Sequence, residues 1–255
     1  MLHRAYVYGI VGLTANRFET EEATMDPRKL FADQRHAAYC VFCGAEPTTR
    51  EHVVSRILLD DPLPADLPLV SSCHDCNNSF SPDEEYFACL IDCVVSGSTD
   101  PLSVQRKKVK ASLRHSPALA TSIAAGSNED STGRLLWKPE NDRVRRVIVK
   151  LARGHAAHQY SELQLDEPAH VMAVPLTVMP ALQRDAFEKP PESSGWPEIG
   201  SRAFMNMLVV GEKVDSADGG WTVLQDGRYR YVVAQPGETV VRIVLSEYLA
   251  CEIIW

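Results

Sequence analysis

The chain has 255 residues, with 45% hydrophobic and 24% charged side chains, the balance of a globular protein of one or two domains and a substantial core. No apolar run reaches the roughly 18 residues of a membrane span, so no membrane partner is expected, and seven cysteines, four of them in two C-x-x-C pairs, favour a reducing, cytoplasmic setting and metal over disulfides. The net charge of −8 opposes a nucleic-acid partner when taken alone. It is unevenly spread, with 5 basic and 12 acidic residues over 25–95, 12 and 5 over 96–160, and 7 and 14 over 161–255. A basic block between two acidic ones is the pattern of a polyanion-binding face.

In chain order, residues 1–24 read as an N-terminal extension or strand, and 27–38 as a short helix leading into Cys40-Val41-Phe42-Cys43. Residues 51–59 read as a strand or turn, and Pro62, Pro64 and Pro68 make 60–70 a loop. Ser81-Pro82-Asp83-Glu84 has the form of an N-cap, a first-turn proline and a capping-box glutamate, with Glu84 and Glu85 in solvent. The helix it opens buries Phe87, Leu90, Ile91 and Val94 and stops at Gly97. Asp100-Pro101 opens a second helix, 126–133 is a loop, and Asp142 caps a third helix with Val144, Val147, Ile148 and Leu151 on one face. From Val171 the chain turns β-like, with strands at 221–224, 229–234, 240–245 and 252–255 around Asp226-Gly227 and Pro236-Gly237 turns, and an irregular stretch over 189–200. Cys89, Cys93 and Cys251 read as small core residues. His155 and His158 are three apart on a helix with no carboxylate to support a metal, so packing or a phosphate contact is expected of them.

The chemistry is concentrated in 40–78. Cys40, Cys43, Cys73 and Cys76 supply four thiolates, the full tetrahedral set of a structural zinc, which leaves no position for a reactive water. Any catalysis must therefore come from a second centre. The 29-residue gap between the pairs carries Glu51-His52, and Asn77 and Asn78 directly follow the last cysteine. A carboxylate, an imidazole and an amide tied to one scaffold suit metal-assisted hydrolysis.

This order of motifs resembles the HNH, or ββα-metal (His-Me finger), endonuclease family, in which an acidic–His pair lies between two zinc knuckles and a His or Asn follows the last cysteine. The resemblance covers 38–95. It implies that His52 is the general base and that Glu51 and Asn77 hold a catalytic Mg²⁺ or Mn²⁺, ions that favour such hard oxygen donors. The sequence departs from the family in lacking the Asn that usually precedes the second knuckle and the common Gly-Gly between the knuckles.

The expectation is an α+β protein with a zinc-stapled ββα-metal (treble-clef-like) module over 25–97, a basic helical region over 98–160 and a β-rich C-terminal part of open role over 161–255. The function expected is divalent-metal-dependent hydrolysis of phosphodiester bonds, in DNA, with Arg106, Lys107, Lys108, Lys110, Arg143, Arg146, Lys150 and Arg153 as phosphate contacts. The alternative is a zinc-dependent module that binds nucleic acid or protein without catalysis. A toxin or defence role shares the same chemistry, and the oligomeric state, a homodimer included, stays open.

Overall fold

The computed structural model describes residues 37–129, 131, 135–210 and 220–255. The expected extension over 1–24 and nearly all of the expected helix over 27–38 lie outside these residues. Strand β1 (Thr49–His52) pairs antiparallel with β2 (Leu69–Ser72), setting Glu51 opposite Val70 and His52 opposite Leu69. A 3-10 turn at Arg56–Leu58 lies in the connection between them. Helix α1 (His74–Ser96) follows β2 directly.

Helix α1 begins seven residues before the serine expected to cap it. Cys73 is its N-cap, and Cys73 Sγ accepts the Cys76 N–H at 3.4 Å. The knuckle thus caps the first turn and leaves Pro82 inside the helix, where the sequence pattern places a start. The stop at Gly97 is as expected, in a left-handed conformation. Phe87, Leu90 and Ile91 are buried as expected, but so are Asp83 and Glu84. Glu84 therefore does not solvate the helix surface.

Helices α2 (Lys107–His115) and α3 (Pro117–Ala125) come next, then a short hairpin of β3 (Ser127–Glu129) and β4 (Leu135–Trp137). The second helix begins at Lys107, six residues after the proline expected to open it, and part of the expected 126–133 loop is strand β3. Helix α4 (Asn141–Tyr160) is capped at Glu140 rather than at Asp142. The Glu140 N–H donates to the Tyr86 hydroxyl at 2.8 Å, which joins the start of α4 to α1.

The C-terminal part holds β5 (His170–Pro175), α5 (Ala181–Glu188), α6 (Arg202–Val210) and strands β6 (Thr222–Gln225), β7 (Tyr229–Ala234), β8 (Val240–Leu245) and β9 (Leu249–Ile254). The strands form an antiparallel sheet of order β5-β9-β8-β7-β6. Alternation along the strands divides its residues between two faces. Tyr229, Tyr231, Ile243, Cys251 and Ile253 join the main core with Cys40, Val53, Phe87 and Leu151. Val232, Val244 and Ala250 form a smaller core with Phe187 and Trp221.

The molecule is thus mixed α and β, and α4 is its spine. One side of α4 meets α1 and the other meets the sheet. Gly154 allows the close approach: a Cβ there would lie 2.8 Å from Val53 Cγ1, so α4 runs against the segment just after β1. The main core runs without a break across the expected boundaries near 97 and 160. Arg106 and Arg228 reinforce this union, both reaching Asp60 and Asp92 and so tying the hairpin loop, α1, the start of α2 and the β6–β7 turn together.

Candidate active site

The four cysteines converge. The Sγ atoms of Cys40, Cys43, Cys73 and Cys76 lie within 4.8 Å of one another, and those of Cys43 and Cys73 are 3.7 Å apart. A tetrahedral zinc with bonds of about 2.3 Å spaces its sulfurs by about 3.8 Å, so the cluster fits that ion. The first knuckle is shaped by its backbone. Gly44 N–H bonds Cys40 carbonyl at 2.8 Å, with Gly44 at φ +75°, a conformation few side chains tolerate. Val41 N–H reaches Ser71 carbonyl at 3.0 Å, which fastens that knuckle to β2. Burial opposes ionisation of Cys40, yet backbone N–H donors of Cys73, Phe42 and Cys43 bring its thiol down to about 7. Burial pushes the Cys76 thiol up. Four sulfurs this close cannot all ionise unless a cation joins them.

Glu51 and His52 end β1 and point to different neighbours. Glu51 turns inward, where its Oε1 accepts from Lys150 Nζ at 2.8 Å. The same ammonium reaches Glu84 Oε1 at 2.8 Å and the carbonyls of His52 and Val53 at 3.0 and 3.3 Å. His52 lies toward Arg56, with Nε2 3.5 Å from the guanidinium. Burial first and the Arg56 charge second lower its pKa, against the opposing pull of Glu51. The imidazole is therefore neutral at neutral pH. Asn77, in the first turn of α1, donates Nδ2 to Thr49 Oγ1 and Arg50 carbonyl, both at 3.4 Å. Its Oδ1 is left as an acceptor. Asn78 is exposed and turns to the exposed His74 at 3.1 Å.

Asn77 and Glu51 thus share the interface of β1 with α1, at two levels, while His52 turns to Arg56. Asn77 meets the start of the strand, while Glu51 meets Lys150 and Glu84, two helical turns beyond Asn77. Among the described residues no hydrogen bond joins Asn77 to Glu51 or His52. The donor types fit a hard divalent cation, but an ammonium already sits on the carboxylate.

The expected phosphate contacts divide. Lys150 and Arg106 are corrections, being 1% and 8% exposed. Arg106 is held by Asp60, Asp92 and the carbonyls of Ile57 and Leu59. Neither offers a surface to a polyanion. Arg143 is engaged by Asp83 and Pro82 carbonyl and lies over the Tyr86 ring at 4.2 Å. Lys107 is exposed, Lys110 half-buried, and Lys108 is bound to Asp61 at 2.9 Å. Arg146 and Arg153 border an open groove beside α1.

Sequence reasoning missed the Glu51–Lys150–Glu84 cluster. Its trace was there: Lys150 lies three residues after Val147 and four before Gly154, on the buried side of the same helix. No family model, curated protein or solved structure matches the chain. Among the described residues no helix is long and apolar enough to cross a membrane.

Proposed function

We propose that β1, β2 and α1 form a zinc-stapled ββα-metal module of HNH type, and that the protein hydrolyses phosphodiester bonds of nucleic acid, DNA first, with Mg²⁺ or Mn²⁺. The observation that carries this reading is the position of Glu51, His52 and Asn77. Asn77 and Glu51 lie along one strand–helix interface that starts at the cysteine cluster, and His52 is the next residue on that strand. His52 would take the proton of the attacking water, and its neutral ring is the form a base requires. Asn77 Oδ1 and Glu51 Oε2, which lie at different levels of the interface, would be the oxygens offered to the cation, because Asn77 Nδ2 is committed to β1 and Lys150 engages Glu51 through Oε1. The cation would supply charge neutralisation at the phosphate. Lys150 fixes the His52 carbonyl and so holds the strand that carries the base.

A binding module without catalysis is the second reading, favoured by that same Lys150 ammonium on the carboxylate. Cleavage of a labelled duplex with and without added Mn²⁺ separates the two. Metal-dependent cleavage that falls about 10²-fold or more in Glu51→Gln and in Asn77→Ala supports hydrolysis. Tight binding without cleavage supports the second reading.

A further inference from the structure

On the face of α4 nearest the cysteine cluster, Arg145 joins Arg146 and Arg153 of the expected phosphate contacts. Arg145, Arg146 and Arg153 line a half-open groove of about 380 Å³, whose other wall is Cys76, Ser79 and Phe80 of α1. The groove brackets Asn77 in sequence and reaches Lys150, the partner of Glu51. It therefore touches the cysteine cluster at Cys76 and the candidate active site at Lys150, with Asp142 and Glu167 as acidic members of its lining.

Its arginines differ in what they have left to give. Arg153 is a wall residue: one Nη is bound to the carbonyls of Leu165 and Asp166, and its buried Nε has no acceptor among the described residues. Arg145 and Arg146 are open, with side chains 42% and 47% exposed. Arg145 holds Glu167 through one Nη at 2.8 Å, and that carboxylate is itself 77% exposed. An ion pair so exposed contributes little and yields readily to a stronger acceptor. Arg146 holds Asp83 through one Nη at 3.0 Å and lies 5.3 Å from the Phe80 ring centre, which fixes its plane. Among the described residues most N–H donors of both guanidiniums remain available, in the fork geometry that grips phosphate oxygens.

We infer that this groove holds the sugar–phosphate backbone of the nucleic-acid substrate, with Arg145 and Arg146 each gripping a phosphate. The inference rests on the nucleic-acid substrate of the proposed function, but not on catalysis. Backbone contacts of this kind position a strand without reading its bases. They also place the basic stretch of the chain beside the acidic module, where the charge imbalance of the sequence left them unlocated.

The test is equilibrium binding of a fluorescein-labelled duplex DNA by the full chain carrying His52→Ala, with no divalent metal added, over a range of salt. Arg145→Gln with Arg146→Gln should weaken binding alike for unrelated sequences and flatten the slope of log affinity against log salt by about 0.9 for each phosphate no longer neutralised. Arg145→Glu alone, which leaves Asp83 paired, should weaken binding further than Arg145→Gln. Arg184→Gln, on the exposed face of α5, should change neither quantity. An unchanged affinity and slope in the arginine variants overturns the groove and leaves the hydrolysis reading standing. Absence of DNA binding in every protein, the Arg184→Gln control included, overturns both.

Discussion

At the scale of single residues, the Lys150 ammonium is the most consequential group in the chain. It is fully buried among two carboxylates and two backbone carbonyls. Removing one member of such a cluster strands the opposite charges in a region of low polarity. Lys150→Met should therefore lower stability by about 3–5 kcal/mol in urea unfolding, although methionine fits the volume. Replacing Glu51 by Gln leaves Glu84 to balance the ammonium and should cost less. A Lys150→Met protein as stable as wild type would mean that these groups do not meet. The residue types of the candidate site were legible because the cysteine spacing tied them together. The occupant of the carboxylate was not. A lysine between Arg146 and Arg153 reads as one more surface charge until the opposite helix is in place, and nothing local shows that Glu84 and Lys150 face each other across 66 residues.

At the scale of elements, the strands were legible where alternation was strong. Strands β7 and β8 and their turns fall where Tyr229–Ala234, Val240–Leu245, Asp226-Gly227 and Pro236-Gly237 put them. The start of α1 was not, because Ser81-Pro82 is a strong local signal that a tertiary cap overrode. The sulfur of Cys73 caps the helix earlier, and the buried stretch from Phe80 to Cys93 carries it through the proline. The contact of α4 with the segment after β1 turns on Gly154. Alanine would help an isolated helix, but its Cβ would sit 2.8 Å from Val53 Cγ1, on a side chain with little rotamer freedom. Gly154→Ala should destabilise the fold by about 1–3 kcal/mol in chemical denaturation. Val53→Ala in the same chain should recover part of that stability by making room for the methyl.

At the scale of the whole molecule, the expected C-terminal part shares one core with the cysteine-bearing part, and the buried His155 and half-buried His158 lie on their boundary. His155 stacks on Tyr231 with ring centres 3.7 Å apart and bonds the Tyr229 hydroxyl at 2.8 Å. Burial holds His155 well below its ordinary value. Burial and the Arg202 charge hold His158 at about 4 against an ordinary 6.5. Both histidines are thus neutral in the folded chain at a pH where the unfolded chain takes up protons. Stability should be full above about pH 6.5 and fall as the pH drops toward 4, by at most about 3 kcal/mol from His158 alone. His158→Gln should flatten that fall in thermal melts taken across the range.

A role of His52 as the base, on the strand beside the cysteine cluster, is tested most directly by plasmid cleavage. Purified wild type and His52→Ala, matched for zinc at about one per chain and for melting temperature, are given supercoiled plasmid with and without Mg²⁺ or Mn²⁺. The account predicts relaxation or linearisation by wild type only when the divalent metal is added, and a rate at least about 10²-fold lower in His52→Ala. Equal rates in the two proteins, or no metal-dependent cleavage by wild type, would contradict it.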